Sequence, residues 1–260
     1  MSDTSASGVE PRPVKEQVVL LLGGTSGIGL ETARSFKGSG ATVAIAGRDA
    51  TRGEAAAAAI GATYIRCDAA DPASVETMVE ETTARFSRID TLVISTGGAR
   101  LPELLFRQSL DDIRTGLTQD LAPFLYAARA VLPGMMAEGR GAIISVASDA
   151  GKVATPGEAV IGAGMAAIIQ FTRTLAMEAK RNGVRANVIT PSLVEGTPLT
   201  DRLMEEGRFS AKLFAKARPL AALGPTEASD LAALALFLAS PAARRITGQA
   251  ISVNGGISAA

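Results

Sequence analysis

Short, unbroken apolar runs alternate along this chain with longer segments whose apolar residues return every three or four positions, the pattern of strand–helix–strand units that build a parallel sheet. Residues 18–22 (VVLLL) show no polar alternation, so a strand there is buried on both faces. A helix over 28–39 follows, with Gly40 as its stop, then strands at 42–46 and 63–66 around an alanine-rich helix at 51–60. A helix at 73–86, a strand at 91–95 and a long helix over 110–137 come next. Pro123 removes one backbone donor inside that long helix and predicts a kink. A strand at 141–147, a helix at 158–182, a strand at 184–190, helices over 198–217 and 227–239 and a last strand at 250–253 complete an α/β chain of about seven strands. Residues 1–16, polar and proline-bearing, read as a flexible tail ahead of one domain over 17–260.

Composition narrows this picture. The 260 residues, 47% hydrophobic, can bury a large core, and one α/β domain of this length is ordinary. Lys plus Arg and Asp plus Glu both number 26, so no net field draws the chain to nucleic acid or to an anionic membrane, and a small-molecule partner is favoured. Cys67 is the lone cysteine and no metal-ligand cluster accompanies it, which excludes an internal disulfide and fits a reducing cytoplasm. No run reaches the roughly 18 unbroken apolar residues of a membrane helix, and the first residues lack the apolar stretch of a secretory signal. Histidine is absent. That removes every Ser-His or Cys-His mechanism and the usual zinc ligand, leaving Tyr, Lys, Asp, Glu, a hydroxyl or water for acid–base work.

The residues Gly23-Gly24-Thr25-Ser26-Gly27-Ile28-Gly29 join the first strand to the first helix, where a phosphate site belongs. Glycine permits the tight turn and a close backbone approach to a pyrophosphate, and the helix N-terminus offers unpaired N–H groups to the anion. In this strand–loop–helix context the loop points to dinucleotide binding.

The GxxxGxG spacing resembles that of the short-chain dehydrogenases/reductases, and the resemblance extends over nearly the whole chain. It implies a single-domain, Rossmann-like, doubly wound parallel sheet with helices on both faces, and cofactor contacts from Gly23, Thr25, Ser26, Gly27, Ile28 and Gly29. Leu22 stands where the family usually has Thr. Gly47-Arg48 follow the second strand, where NAD-preferring members place an acid on the ribose hydroxyls; Arg48 and Ser26 can instead meet a 2′-phosphate, so NADP(H) is implied over NAD(H). Asp68 falls at the family's adenine contact, Gly97 closes an Ile-Ser-Thr-Gly segment in place of Asn-Asn-Ala-Gly, and Thr197 falls at a contact to the cofactor's phosphates or amide. The stretch 192–223 resembles the substrate lid, in which Leu203, Met204, Phe209, Leu213 and Phe214 either line a pocket or pack the lid down. The ending, with Asn254 for the usual aspartate, and the two long helices imply a homodimer or homotetramer.

Ser148, at the end of the fifth strand, aligns with the family's catalytic serine. The tyrosine that should follow about a dozen residues later is Ile161, and the lysine one helical turn beyond it is Met165. The family's asparagine on the long helix corresponds to Asp120. Of this tetrad only Ser148 is retained. A phenol lowered from a pKa of about 10 by a neighbouring ammonium moves a proton near neutral pH, a service worth roughly 10² to 10⁴ in rate.

Glu158, roughly where the enoyl reductase branch carries its tyrosine, and Asp120 are the acids that could substitute; Asp149 and Tyr126 read as solvated or capping groups, and Lys152 as too early in its loop. Two readings of the whole stand open. One is a degenerate NADP(H)-binding protein acting as a structural or regulatory subunit, alone or mixed with an active paralogue. The other is an enzyme of altered chemistry, reducing an iminium or an activated C=C bond or performing a non-redox reaction, for which hydride addition creates no alkoxide.

Overall fold

The computed structural model describes residues 9–97 and 100–260; the first eight residues of the expected tail lie outside them. Seven strands form one all-parallel sheet in the order β3-β2-β1-β4-β5-β6-β9: β1 (Val18–Leu22), β2 (Thr42–Gly47), β3 (Thr63–Arg66), β4 (Thr91–Ile94), β5 (Gly141–Val146), β6 (Val184–Pro191) and β9 (Ala250–Val253). Two-residue strands β7 (Val194–Glu195) and β8 (Thr226–Glu227) pair separately; they are too short to leave a period in the sequence.

The apolar run of β1 behaves as its lack of alternation requires, with all five residues buried. Leu20 and Leu22 enter the core on one face, Val19 and Leu21 the core on the other. The first core is closed by α3 (Pro72–Phe86), α4 (Leu110–Ala137) and α5 (Ala159–Ala179), through residues such as Met78, Phe124 and Ile168. The second is closed by α1 (Gly27–Gly38), α2 (Ala50–Ile60) and α8 (Ala228–Ala239), through Phe36, Ala57 and Leu231. Helices therefore cover both faces, as expected of a doubly wound sheet.

Two details differ from the sequence reading. The helix expected over 198–217 is two, α6 (Pro198–Leu203) and α7 (Phe209–Ala217), parted by a turn in which Gly207 takes φ +85°. The long helix α4 lies where it is expected, over Leu110–Ala137, with Pro123 and Pro133 inside it. Near the N-terminus, Arg12 Nε pairs with Asp90 Oδ1 at 3.0 Å, tying the end of the segment expected as a tail to the start of β4. Although no apolar run is unbroken, Ala159–Asn182 is long and apolar enough to cross a membrane by length and composition, at a mean hydropathy of 1.4. In this fold it is the α5 layer, with Ile168, Ile169, Leu175 and Ala176 in the core.

The chain reverses its direction of travel across the sheet at β1, whose neighbours are β2 and β4. The crevice at the carboxyl ends of β1 and β4 is where an open α/β sheet binds its ligand.

Candidate nucleotide and substrate cleft

That crevice holds a cleft of about 310 Å³, and its lining includes Gly23, Thr25, Ser26, Arg48, Asp68, Gly97 and Asp120. The loop is built so that backbone stands where side chains would otherwise be. Gly23 leaves β1 at φ +88°, and a Cβ on it would lie 2.3 Å from the Ser95 carbonyl oxygen. A Cβ on Gly29 would lie 2.2 Å from the Gly23 carbonyl oxygen, so the first turn of α1 presses directly onto the loop. Ser26 occupies the N-cap position of α1 with extended backbone, and its hydroxyl makes no capping bond. The unpaired N–H groups of the α1 first turn and this spare hydroxyl suit a phosphate, so the residues present fit a dinucleotide. Gly27 faces Thr197, whose Cβ lies 3.7 Å from the point a Cβ on that glycine would occupy. Thr197 is buried, its hydroxyl accepting from the Thr200 N–H at 3.2 Å as the cap of α6, which sets the start of the expected lid over the loop.

The two ends of the cleft differ in charge. Arg48 and Arg52 line one end beside Asp68, and Arg66 joins Arg48, Asp49, Asp68 and Ser74 in the adjoining rim. Arg66 gets there because β2 and β3 pair Gly47 with Arg66. Arg52 is paired with Asp49 at 3.8 Å, while among the described residues neither Arg48 nor Arg66 enters an ion pair. Cys67 also lines the cleft, buried, its thiol pushed up to about 11 chiefly by loss of water. At the other end stand Gln119 and Asp120. Asp120 is 5% exposed; burial raises its pKa above the ordinary carboxylate value and the Arg100 guanidinium partly opposes the rise. Arg100 Nε lies 4.0 Å from Asp120 Oδ2, and Arg100 reaches this place by lying across Gly116 of α4, where any side chain would collide with it.

Ser148 does not line this cleft; its hydroxyl accepts from the Ala150 N–H at 3.2 Å. The turn after it packs on α5 through glycines. A Cβ on Gly151 would lie 2.7 Å from the Ala166 nitrogen, and one on Gly162 would lie 2.7 Å from the Ala150 carbonyl oxygen. Ser148 thus stands beside the turn of α5 that carries Ile161 and Met165, both half-buried, with Met165 packed against the core. Neither tyrosine takes the phenol's place: Tyr64 donates to the Gly47 carbonyl at 2.7 Å, and Tyr126 packs on the core beneath α4.

The other groups weighed as substitutes separate clearly. Glu158, at the start of α5, is held above its ordinary pKa by burial, with a Thr155 hydrogen bond opposing, but it lies outside the cleft lining. Asp149, expected to be solvated or a cap, is buried, because it accepts from Ser252 Oγ at 3.1 Å, Ser258 Oγ at 3.0 Å and Asn254 Nδ2. Lys152 Nζ joins it at 3.4 Å. This cluster fastens the C-terminal strand to the turn behind Ser148. Of the lid residues, Leu203, Phe214, Met204 and Leu213 form a small cluster of their own with Leu193, while the Phe209 ring covers Gly157 at 2.2 Å from the point where a Cβ would sit. Sequence reasoning missed Arg52, Arg66 and Arg100, which reach the site by strand pairing and helix packing and carry no local motif.

A family model described as Enoyl-(Acyl carrier protein) reductase matches residues 23–258. The momilactone A synthase of Oryza sativa subsp. japonica is 33% identical over 98% of this chain and 94% of its own. The 3-oxoacyl-(acyl-carrier-protein) reductase FabG of Escherichia coli is 31% identical over 93% of this chain and 97% of its own. Among solved structures, a 3-ketoacyl-(acyl-carrier-protein) reductase from Brucella melitensis complexed with NADH superposes with a TM-score of 0.86 at 28% identity, covering 95% of this chain and 100% of that one. The chain belongs to the short-chain dehydrogenase/reductase family, in an oxidoreductase-like form with one Rossmann-like domain.

Proposed function

We propose that this protein binds NADP(H) in the cleft and does not interconvert ketones and alcohols at the rates of its oxidoreductase relatives. The observation that carries the reading is the pairing of an intact glycine cradle with an apolar α5 face, Ile161 and Met165, beside Ser148. Bound NADPH would supply a hydride. The chain's own residues would then have to protonate the oxygen, and a serine hydroxyl without a phenol or ammonium partner offers no group that exchanges a proton near neutral pH. Preference for the 2′-phosphate form rests on Arg48 and Arg66 at one end of the cleft and on the absence of an acid at Gly47. The NADH-bound Brucella neighbour shows that the fold also admits the other nucleotide.

Calorimetric titration with NADPH and NADH tests the cofactor half. NADPH should bind at least about tenfold tighter, and Arg48→Ala should erase most of that margin, since a charge-assisted hydrogen bond is worth about 1.5–3 kcal/mol. Equal affinities, or no binding of either, would remove the reading. Retention of the cradle favours an enzyme of altered chemistry over a purely structural subunit, and cytoplasmic residence and a homodimer or homotetramer accompany the proposal by family resemblance.

A further inference from the structure

The inner end of the cleft has a charge that the proposed cofactor chemistry does not use. Asp120 is buried, lines the cleft, and among the described residues receives no hydrogen bond. Among the described residues its one ionic neighbour is Arg100, at 4.0 Å, which already donates to the Asp112 carbonyl and whose Nε has no acceptor there. A second hollow of about 330 Å³ continues from Gln119 and Asp120 past Asp111 and Asp112. Three carboxylates, Asp111, Asp112 and Asp120, and one guanidinium, Arg100, line this hollow, while the solvent-exposed Asp111 pairs with Arg114 at 3.3 Å. Gly164 brings α5 against Asp120, a Cβ on the glycine lying only 3.5 Å from the aspartate Cβ. A buried, underpaired carboxylate facing an open space suits an organic monocation far better than a neutral carbonyl.

We infer that Asp120 seats a cationic substrate, an iminium, in place of the ketone of ordinary relatives. This rests on the NADP(H)-binding reading and names its substrate class. When bound, the dihydronicotinamide supplies a hydride; its electron pair forms the new C–H bond, the C=N π pair becomes the nitrogen lone pair, the nicotinamide is left oxidised, and a neutral amine forms with no proton transferred. The loss of Tyr and Lys is then consistent with the reaction rather than a defect in it. Asp120 acts by holding the positive charge at the inner end of the cleft.

The test uses a permanently charged N-methyl dihydroisoquinolinium salt, with tetralone as its neutral counterpart, on the purified full chain. Calorimetry with and without NADPH should show the cation binding and tetralone not. Asp120→Asn should weaken the cation at least about tenfold, the order of one lost charge-assisted contact, a far larger change than it makes to NADPH affinity. NADPH oxidation should follow the cation and not the ketone. Absence of cation binding, or an Asp120→Asn protein that binds and turns over the cation as well as wild type does, overturns the inference. If NADPH fails to bind but the cation binds through Asp120, the cation seat stands and the cofactor reading falls.

Discussion

Asp120 on α4 meets Gly164 on α5 so closely that a methyl added to the glycine would sit 3.5 Å from the aspartate Cβ. This contact sets an ionisable group against α5, and several consequences can be measured.

Burial raises the Asp120 pKa, with Arg100 opposing. Between the unfolded value near 3.9 and the raised folded value, the native state therefore holds more protons than the unfolded chain. Stability from this group accordingly falls as pH rises through that window and stays reduced above it. Asp120→Asn should melt at a higher temperature than wild type at pH 7, and the difference should shrink as pH approaches about 4. Thermal scans across pH check this, and a lower melting temperature for the variant at pH 7 contradicts it.

Gly29→Ala drives a methyl to 2.2 Å from the Gly23 carbonyl oxygen, so the phosphate loop must shift. NADPH affinity should drop by about tenfold or more, a loss of at least roughly 1.4 kcal/mol. Gly164→Ala meets only ordinary contact at 3.5 Å. It should keep NADPH affinity and change stability by no more than about 1 kcal/mol.

Asp149→Ala leaves Lys152, Ser252, Asn254 and Ser258 without their common acceptor in a buried place. Removing one member of a buried ion pair costs about 3–5 kcal/mol. A urea titration should show the unfolding free energy fall by that amount through a lower midpoint at unaltered slope; a change below about 1 kcal/mol would mean the cluster is not holding the C-terminal strand.

Cys67 is buried and its thiol is pushed up to about 11, so at pH 8 almost none is thiolate. Iodoacetamide should label it slowly in the folded protein and fast after denaturation. Labelling of the native chain at the rate of a free thiol would refute the burial.

Much of this arrangement could be read in the amino acids themselves. The apolar run at Val18–Leu22 and the glycine spacing after it locate the sheet's switch point, because both signals are local and the strand is buried on two faces. The long helix Leu110–Ala137 is legible for the same reason, its period persisting over 28 residues. What stayed hidden depends on elements far apart in the chain. Arg66 reaches the rim of the cleft by its register with Gly47, and Arg100 reaches Asp120 across the bare backbone of Gly116. Asp149 looked like an exposed acid because its partners lie about a hundred residues downstream. The break between α6 and α7 was missed because Gly207 alone interrupts an otherwise helical period.

The most direct measurement is steady-state NADPH oxidation with a panel of ketones, run on wild type and on the Ile161→Tyr/Met165→Lys double variant. Wild type should be slower than the double variant by roughly 10² to 10⁴, the worth of a positioned proton donor. Ketone reduction by wild type at the rate of the restored variant would show that this chain moves its proton by another route and would contradict the account.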